Sequence, residues 1–177
     1  LMHPTPRTLF FLCCIVCFSS FSQEQSAEEE ILYDLIMEYR KDKGLGLIPL
    51  SKSLTKVAQL HSKDLALNRP DQGNCNAHSW SEKGKWTSCC YTSDHAKASC
   101  MWDKPKELSS YNHPGYEISC VGSNPLRAVA ALKSWKTSKS HNDVMINLDV
   151  WDEPWLAIGI GLFQGYATVW FGHYPED

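Results

Sequence analysis

Three side chains in this sequence are of types that do chemistry. His78 lies in GNCNAHSW, between a cysteine and a tryptophan; Glu117 lies in GYEIS; His141 closes SWKTSKSH. Both histidines stand among small polar residues that neither a helix nor a strand calls for. Two imidazoles and a carboxylate brought together would suit Zn²⁺, which takes nitrogen and oxygen ligands. They would equally suit general acid–base chemistry, because histidine titrates near neutral pH. The three are 39 and 24 residues apart, so only the fold can unite them. From spacing alone, three unrelated polar residues describe the pattern better.

Other reaction classes find less support. There is no G-x-S-x-G and no H-E-x-x-H. A metal-dependent hydrolase would rest on zinc-activated water with Glu117 as base, yet only two nitrogen ligands are visible where catalytic zinc sites usually have three protein ligands. A cysteine nucleophile paired with histidine would depend on one odd thiol. A third histidine, His61, interrupts the apolar stripe of a predicted helix and reads as a buried, hydrogen-bonded core residue.

The elements that must position these residues follow from periodicity. Ile31, Leu32, Leu35, Ile36 and Tyr39 predict a helix over Ala27 to Lys43, with three glutamates at its positive end. Ser51 caps a second helix bearing Leu54, Val57, Ala58, His61 and Leu65, and Pro70 stops it. From 71 to 124 no helical period persists. WTSCCY (Trp86 to Tyr91) and GYEISC (Gly115 to Cys120) are strand candidates separated by a long irregular loop. If GYEIS is a strand, Glu117 points away from the face shared by Tyr116 and Ile118. A third helix is predicted with Asn124 as N-cap and Pro125 at its first position, and Ser140 caps a further short one. AIGIGLFQGYATVWFG (Ala157 to Gly172) is a β-hairpin with a Gln164-Gly165 turn. Helices early, strands late and no βαβ alternation predict an α+β fold with helices packed on an antiparallel sheet.

Composition places this domain. In the 177-residue chain, Arg7, the apolar run LFFLCCIVCF and the small residues SFS have the layout of a secretory signal peptide over 1–22. A lipidated Cys17 is an alternative, with a poor match before it. That leaves 23–177 as one domain. The 17 basic and 20 acidic residues, without a basic cluster, argue against nucleic acid as a partner. Cys75, Cys89, Cys90, Cys100 and Cys120 read as a disulfide framework with one thiol left over. Their connectivity is open, save that neighbours Cys89 and Cys90 are poor partners.

The order and spacing of VAQLHSKDLA, NAHSW, GYEI, SWKTSKSH and the closing hairpin resemble the CAP superfamily of cysteine-rich secretory, antigen 5 and pathogenesis-related class one proteins. The resemblance covers nearly all of 23–177. It implies a secreted, disulfide-stabilised three-layer α-β-α sandwich with a central antiparallel sheet. It also implies a cleft lined by two histidines and usually two glutamates, which in some members holds a divalent metal. On these matches His78 and His141 are the cleft histidines and Glu117 the first glutamate. Ser138 stands where many members carry the second. The implied metal set is His78, His141 and Glu117, holding Zn²⁺ or another divalent ion, with no organic cofactor. Cys75 would anchor the NAHSW loop. The implied role is a monomeric, non-enzymatic binding or effector module, its partner an extracellular protein, lipid or sterol. A metal-dependent hydrolase and a sterol or lipid carrier are the alternatives.

Overall fold

The computed structural model describes residues 25–176. The signal peptide expected over 1–22 lies outside them. Helix α1 spans Ala27–Asp42 and starts at a reciprocal capping box: Ser26 Oγ accepts from Glu29 N–H, and Glu29 Oε2 accepts from Ser26 N–H at 2.7 Å. Glu29 is buried and reaches further, accepting from Gln59 Nε2 and from the amide of Leu162. One side chain thus ties α1 to the next helix and to the sheet. Helix α2 spans Lys52–Asn68, capped by Ser51 Oγ on the Leu54 amide at 3.0 Å. It ends where Arg69 turns left-handed, φ 51°, ahead of Pro70.

Strands β1 (Tyr116–Val121), β2 (Ala157–Phe163) and β3 (Tyr166–Gly172) form an antiparallel sheet in the order β1-β3-β2. β2 and β3 are the predicted hairpin. The side-chain period of two divides the sheet cleanly. Ile118, Cys120, Ile158, Ile160, Val169 and Phe171 meet α1 and helix α5 (Ala128–Thr137) on one face. Ala157 and Trp170 meet α2 on the other. The result is the expected three-layer α-β-α sandwich.

The glycines of AIGIG explain why α2 lies so close. A Cβ on Gly159 would fall 2.1 Å from the Leu54 carbonyl carbon, and one on Gly161 would fall 2.2 Å from that of Ala58. The isoleucines of β2 therefore fill one core while its glycines admit the helix backbone on the other side. Thr168 Oγ1 completes the seam by donating to the Ala58 carbonyl at 3.0 Å.

Four sequence expectations need correction. Trp86 to Tyr91 is not a strand; it contributes a single antiparallel bridge, Cys89 to Trp80. The loop expected to be irregular contains two short helices, α3 (Ala98–Trp102) and α4 (Lys104–Leu108). The third predicted helix, α5, starts at Ala128 rather than Pro125, because residues 122–126 hydrogen-bond to the β2–β3 turn instead (Gly122 N–H to Gly165 O, Leu126 N–H to Gln164 O). Helix α6 spans Lys139–Met145 with Ser138, not Ser140, at its N-cap position.

Candidate functional site

Glu117 lies on β1 opposite Trp170, on the face turned toward α2. Its side chain has 0% exposure, and both carboxylate oxygens are used. Oε1 lies 2.5 Å from His61 Nδ1, and Oε2 lies 2.7 Å from His78 Nδ1. The strand reading of GYEIS correctly turned Glu117 away from Tyr116 and Ile118. The carboxylate meets neither bulk water nor open cleft; it is clasped between two imidazoles.

His78 reaches this carboxylate from a loop that is heavily fixed. The Cys75–Cys90 disulfide pins the loop start, and Cys89–Cys100 pins the adjoining strand-like segment to α3. Backbone bonds between Asn76 and Tyr91, and a pair between Trp80 and Cys89, make a short ladder beside the staple. Cys120 is left free and buried. Helix α2 holds the other side of the loop. His61 Nε2 donates to the Ser79 carbonyl at 2.9 Å, and Asp64 accepts from the Ser81 amide and hydroxyl. His61 and Asp64 stand three apart, so they share a helix face.

The aromatic surroundings exclude water from this junction. His61 stacks on Trp80 with ring centroids 4.1 Å apart and lies edge-on to Trp170. Lys104 Nζ sits 5.2 Å from the Trp80 ring centroid while bonded to Thr87 O and Glu107. In such surroundings burial alone would push the Glu117 carboxyl up. The His61 charge and the hydrogen bonds from His61 and His78 outweigh burial and hold it below the usual carboxylate value. With Glu117 ionised, both ring nitrogens of His61 face oxygen acceptors, so the network assigns a hydrogen to each.

His141 enters from α6. Its Nδ1 is 2.9 Å from Ser138 Oγ, the residue that stands where the second cleft glutamate was expected. Burial first, and then the nearby charge of His78, push its pKa below the ordinary histidine value, while Glu117 opposes them. His78, Glu117 and His141 therefore share one electrostatic neighbourhood, in which only Glu117 and His78 touch through a hydrogen bond. Among the described residues no group of three or more His, Cys, Asp or Glu side chains is arranged to hold a metal ion. Nor, among those residues, do His78 Nε2 and His141 Nε2 have a hydrogen-bond partner; each ring is anchored through Nδ1.

His61 is the residue that sequence reading left out of the site. The core histidine expected on α2 is indeed buried and hydrogen-bonded, with Glu117 and the Ser79 carbonyl as its partners. The available signal was a pair of polar residues, His61 and Asp64, breaking one apolar helix face three residues apart.

No curated protein matches the chain in sequence. In fold it is similar to an outer surface protein of Borrelia burgdorferi, at 21% identity and a TM-score of 0.57 over 84% of this chain and 94% of that one. It is also similar to an extracellular protein containing an SCP domain from Bacillus anthracis, at 19% identity and a TM-score of 0.56 over 83% of this chain and 40% of that one. Residues 33–150 match the model of the cysteine-rich secretory protein family, CAP. With that match spanning more than half the chain, on a three-layer sandwich stapled by two disulfides, the protein belongs to the CAP family.

Proposed function

We infer that this chain is a secreted, non-enzymatic binding module whose cleft takes a divalent metal such as Zn²⁺ through His78 Nε2 and His141 Nε2. The observation that carries this reading is the 2.7 Å contact of Glu117 Oε2 with His78 Nδ1. A carboxylate behind an imidazole fixes the ring with Nε2 unprotonated and raises its basicity, as in carboxylate–histidine–zinc arrangements. Ser138 Oγ supports His141 from the same side of its ring, by a hydroxyl rather than a carboxylate. Glu117 thus stands behind a ligand rather than serving as the third one. A metal held there would link α6 to the NAHSW loop and offer its remaining positions to a partner's donor atoms. Two structural disulfides suit an oxidising, extracellular compartment.

The hydrolase alternative needs Glu117 as a free base near water. Its two occupied oxygens and 0% exposure argue against that role. The lipid-carrier alternative would need an apolar cavity. One of about 410 Å³ lies between Pro49, Leu50 and Leu156, but Lys52 and Glu176 also line it, and their charges suit an acyl chain poorly.

Calorimetric titration of the oxidised protein with zinc at about pH 7.5 tests the reading. About one equivalent should bind, and the His78→Ala/His141→Ala protein should bind none. Undiminished binding by the double variant would overturn it.

A further inference from the structure

His61 grips the NAHSW loop and the carboxylate behind it at the same time. Its Nε2 donates to the carbonyl of Ser79, the residue next to His78, and its Nδ1 meets the Glu117 oxygen that His78 does not use. The ring cannot shift to favour one contact over the other, because it is fully buried and stacked flat on Trp80 with an interplanar angle of 7°. We propose that His61 is the positioning residue of the cleft: it holds the Glu117 carboxylate in the one rotation that accepts from His78 Nδ1–H, and thereby locks His78 in the tautomer whose Nε2 lone pair faces outward. The proposal rests on the metal reading for its consequence, and on the apo protein alone for its geometry.

Satisfied hydrogen-bond valences fix this arrangement. Glu117 is fully buried, so each oxygen needs a donor. His78 supplies one at 2.7 Å, and His61 supplies the other at 2.5 Å. Remove the His61 donor and the carboxylate is free to turn in search of another. His78 then loses the acceptor that keeps its hydrogen on Nδ1, and a partly exposed imidazole, its side chain 15% accessible, populates both tautomers without that acceptor. An Nε2–H imidazole cannot ligate a metal through that nitrogen.

The two contacts of His61 can be separated by substitution. An asparagine amide nitrogen falls close to the place of histidine Nδ1, and a glutamine amide nitrogen close to that of Nε2. His61→Asn therefore keeps the donor to Glu117 and loses the bond to Ser79 O. His61→Gln does the reverse. The test is side-chain nitrogen NMR of His78 in the metal-free protein, joined to zinc calorimetry of the same samples. In the unsubstituted protein His78 should show a protonated Nδ1 and a bare Nε2. His61→Asn should preserve that signature, and His61→Gln should convert it to a mixture with zinc affinity lowered about tenfold or more.

An Nε2–H or mixed tautomer in the unsubstituted protein would overturn the proposal whatever the variants do. So would equal behaviour of the Asn and Gln proteins in folded samples. If the His78 signature follows His61 as expected but no sample binds zinc, the positioning role stands and the metal reading falls.

Discussion

Replacing Glu117 probes the site and the fold together. Its carboxylate has 0% exposure and accepts from imidazoles at 2.5 and 2.7 Å. Glu117→Ala removes both acceptors and leaves His61, fully buried, with Nδ1 aimed at a void. Breaking a buried charge pair by deleting one member costs about 3–5 kcal/mol. In a domain of this size each kcal/mol moves the melting temperature by about 2–4 °C, so the variant should melt roughly 6–20 °C lower. Glu117→Gln should cost less. Its amide oxygen accepts from His78, and its amide nitrogen donates to a His61 that keeps only the hydrogen bonded to Ser79 O. Two charge-assisted bonds become neutral ones, at a cost of about 1–2 kcal/mol. The assay is urea unfolding of the oxidised proteins at about pH 7, followed by tryptophan fluorescence, with the denaturant slope checked for constancy. A loss under about 1 kcal/mol for Glu117→Ala, or equal losses for Ala and Gln, would refute the claim that a buried hydrogen-bond network holds this junction.

Further outcomes are expected elsewhere in the molecule. His141→Ala should abolish zinc binding by calorimetry while leaving the apo melting temperature nearly unchanged; a large loss of apo stability would make His141 structural instead. The His141 ring should titrate by NMR below the ordinary 6.5, lowered first by burial and then by His78. Because its folded value lies under the unfolded one, that contribution to stability is complete above about pH 6.5 and is lost as pH falls through the folded value. Glu117, also lowered on balance, should behave likewise in a more acid window: its contribution is whole above about pH 4.3 and disappears below that, readable as acid destabilisation that Glu117→Gln lacks. Gly161→Ala places a Cβ 2.2 Å from the Ala58 carbonyl carbon, so α2 must move off the sheet. Overpacking of this kind costs about 1–3 kcal/mol or more, measurable by urea unfolding. Removing the Cys75–Cys90 bridge, whose cysteines are 15 residues apart, should cost about 3 kcal/mol and weaken zinc binding as the His78 loop loosens.

The local rules that succeeded along this chain are those with short range. The apolar period of α1 from Ala27, the apolar stripe of α2, the orientation of Glu117 on β1 and the hairpin around Gln164-Gly165 all depend on neighbours within a few residues. The misread elements depend on partners far away. Residues 86–91 have strand composition, yet they bridge only at Cys89, because two disulfides and α2 hold the region in another course. The start of α5 is set by the β2–β3 turn, which takes the backbone groups that a helix beginning at Pro125 would have used.

The site divides along the same line. Residue types and the family resemblance singled out His78, Glu117 and His141 as candidates, since an imidazole or carboxylate among small residues is visible in one dimension. Only the tertiary structure paired Cys75 with Cys90 and Cys89 with Cys100, and only it brought His61 onto Glu117 across 56 residues of chain. That contact requires α2 to lie against the sheet at the distance the β2 glycines permit, with Trp80 closing over the pair. Sequence determined which groups were present and which way α1, α2, β1 and the closing hairpin turned them. Which groups share a hydrogen bond was decided by the packing of α2 on the sheet, because a hydrogen bond acts over about 3 Å and no sequence spacing encodes that distance.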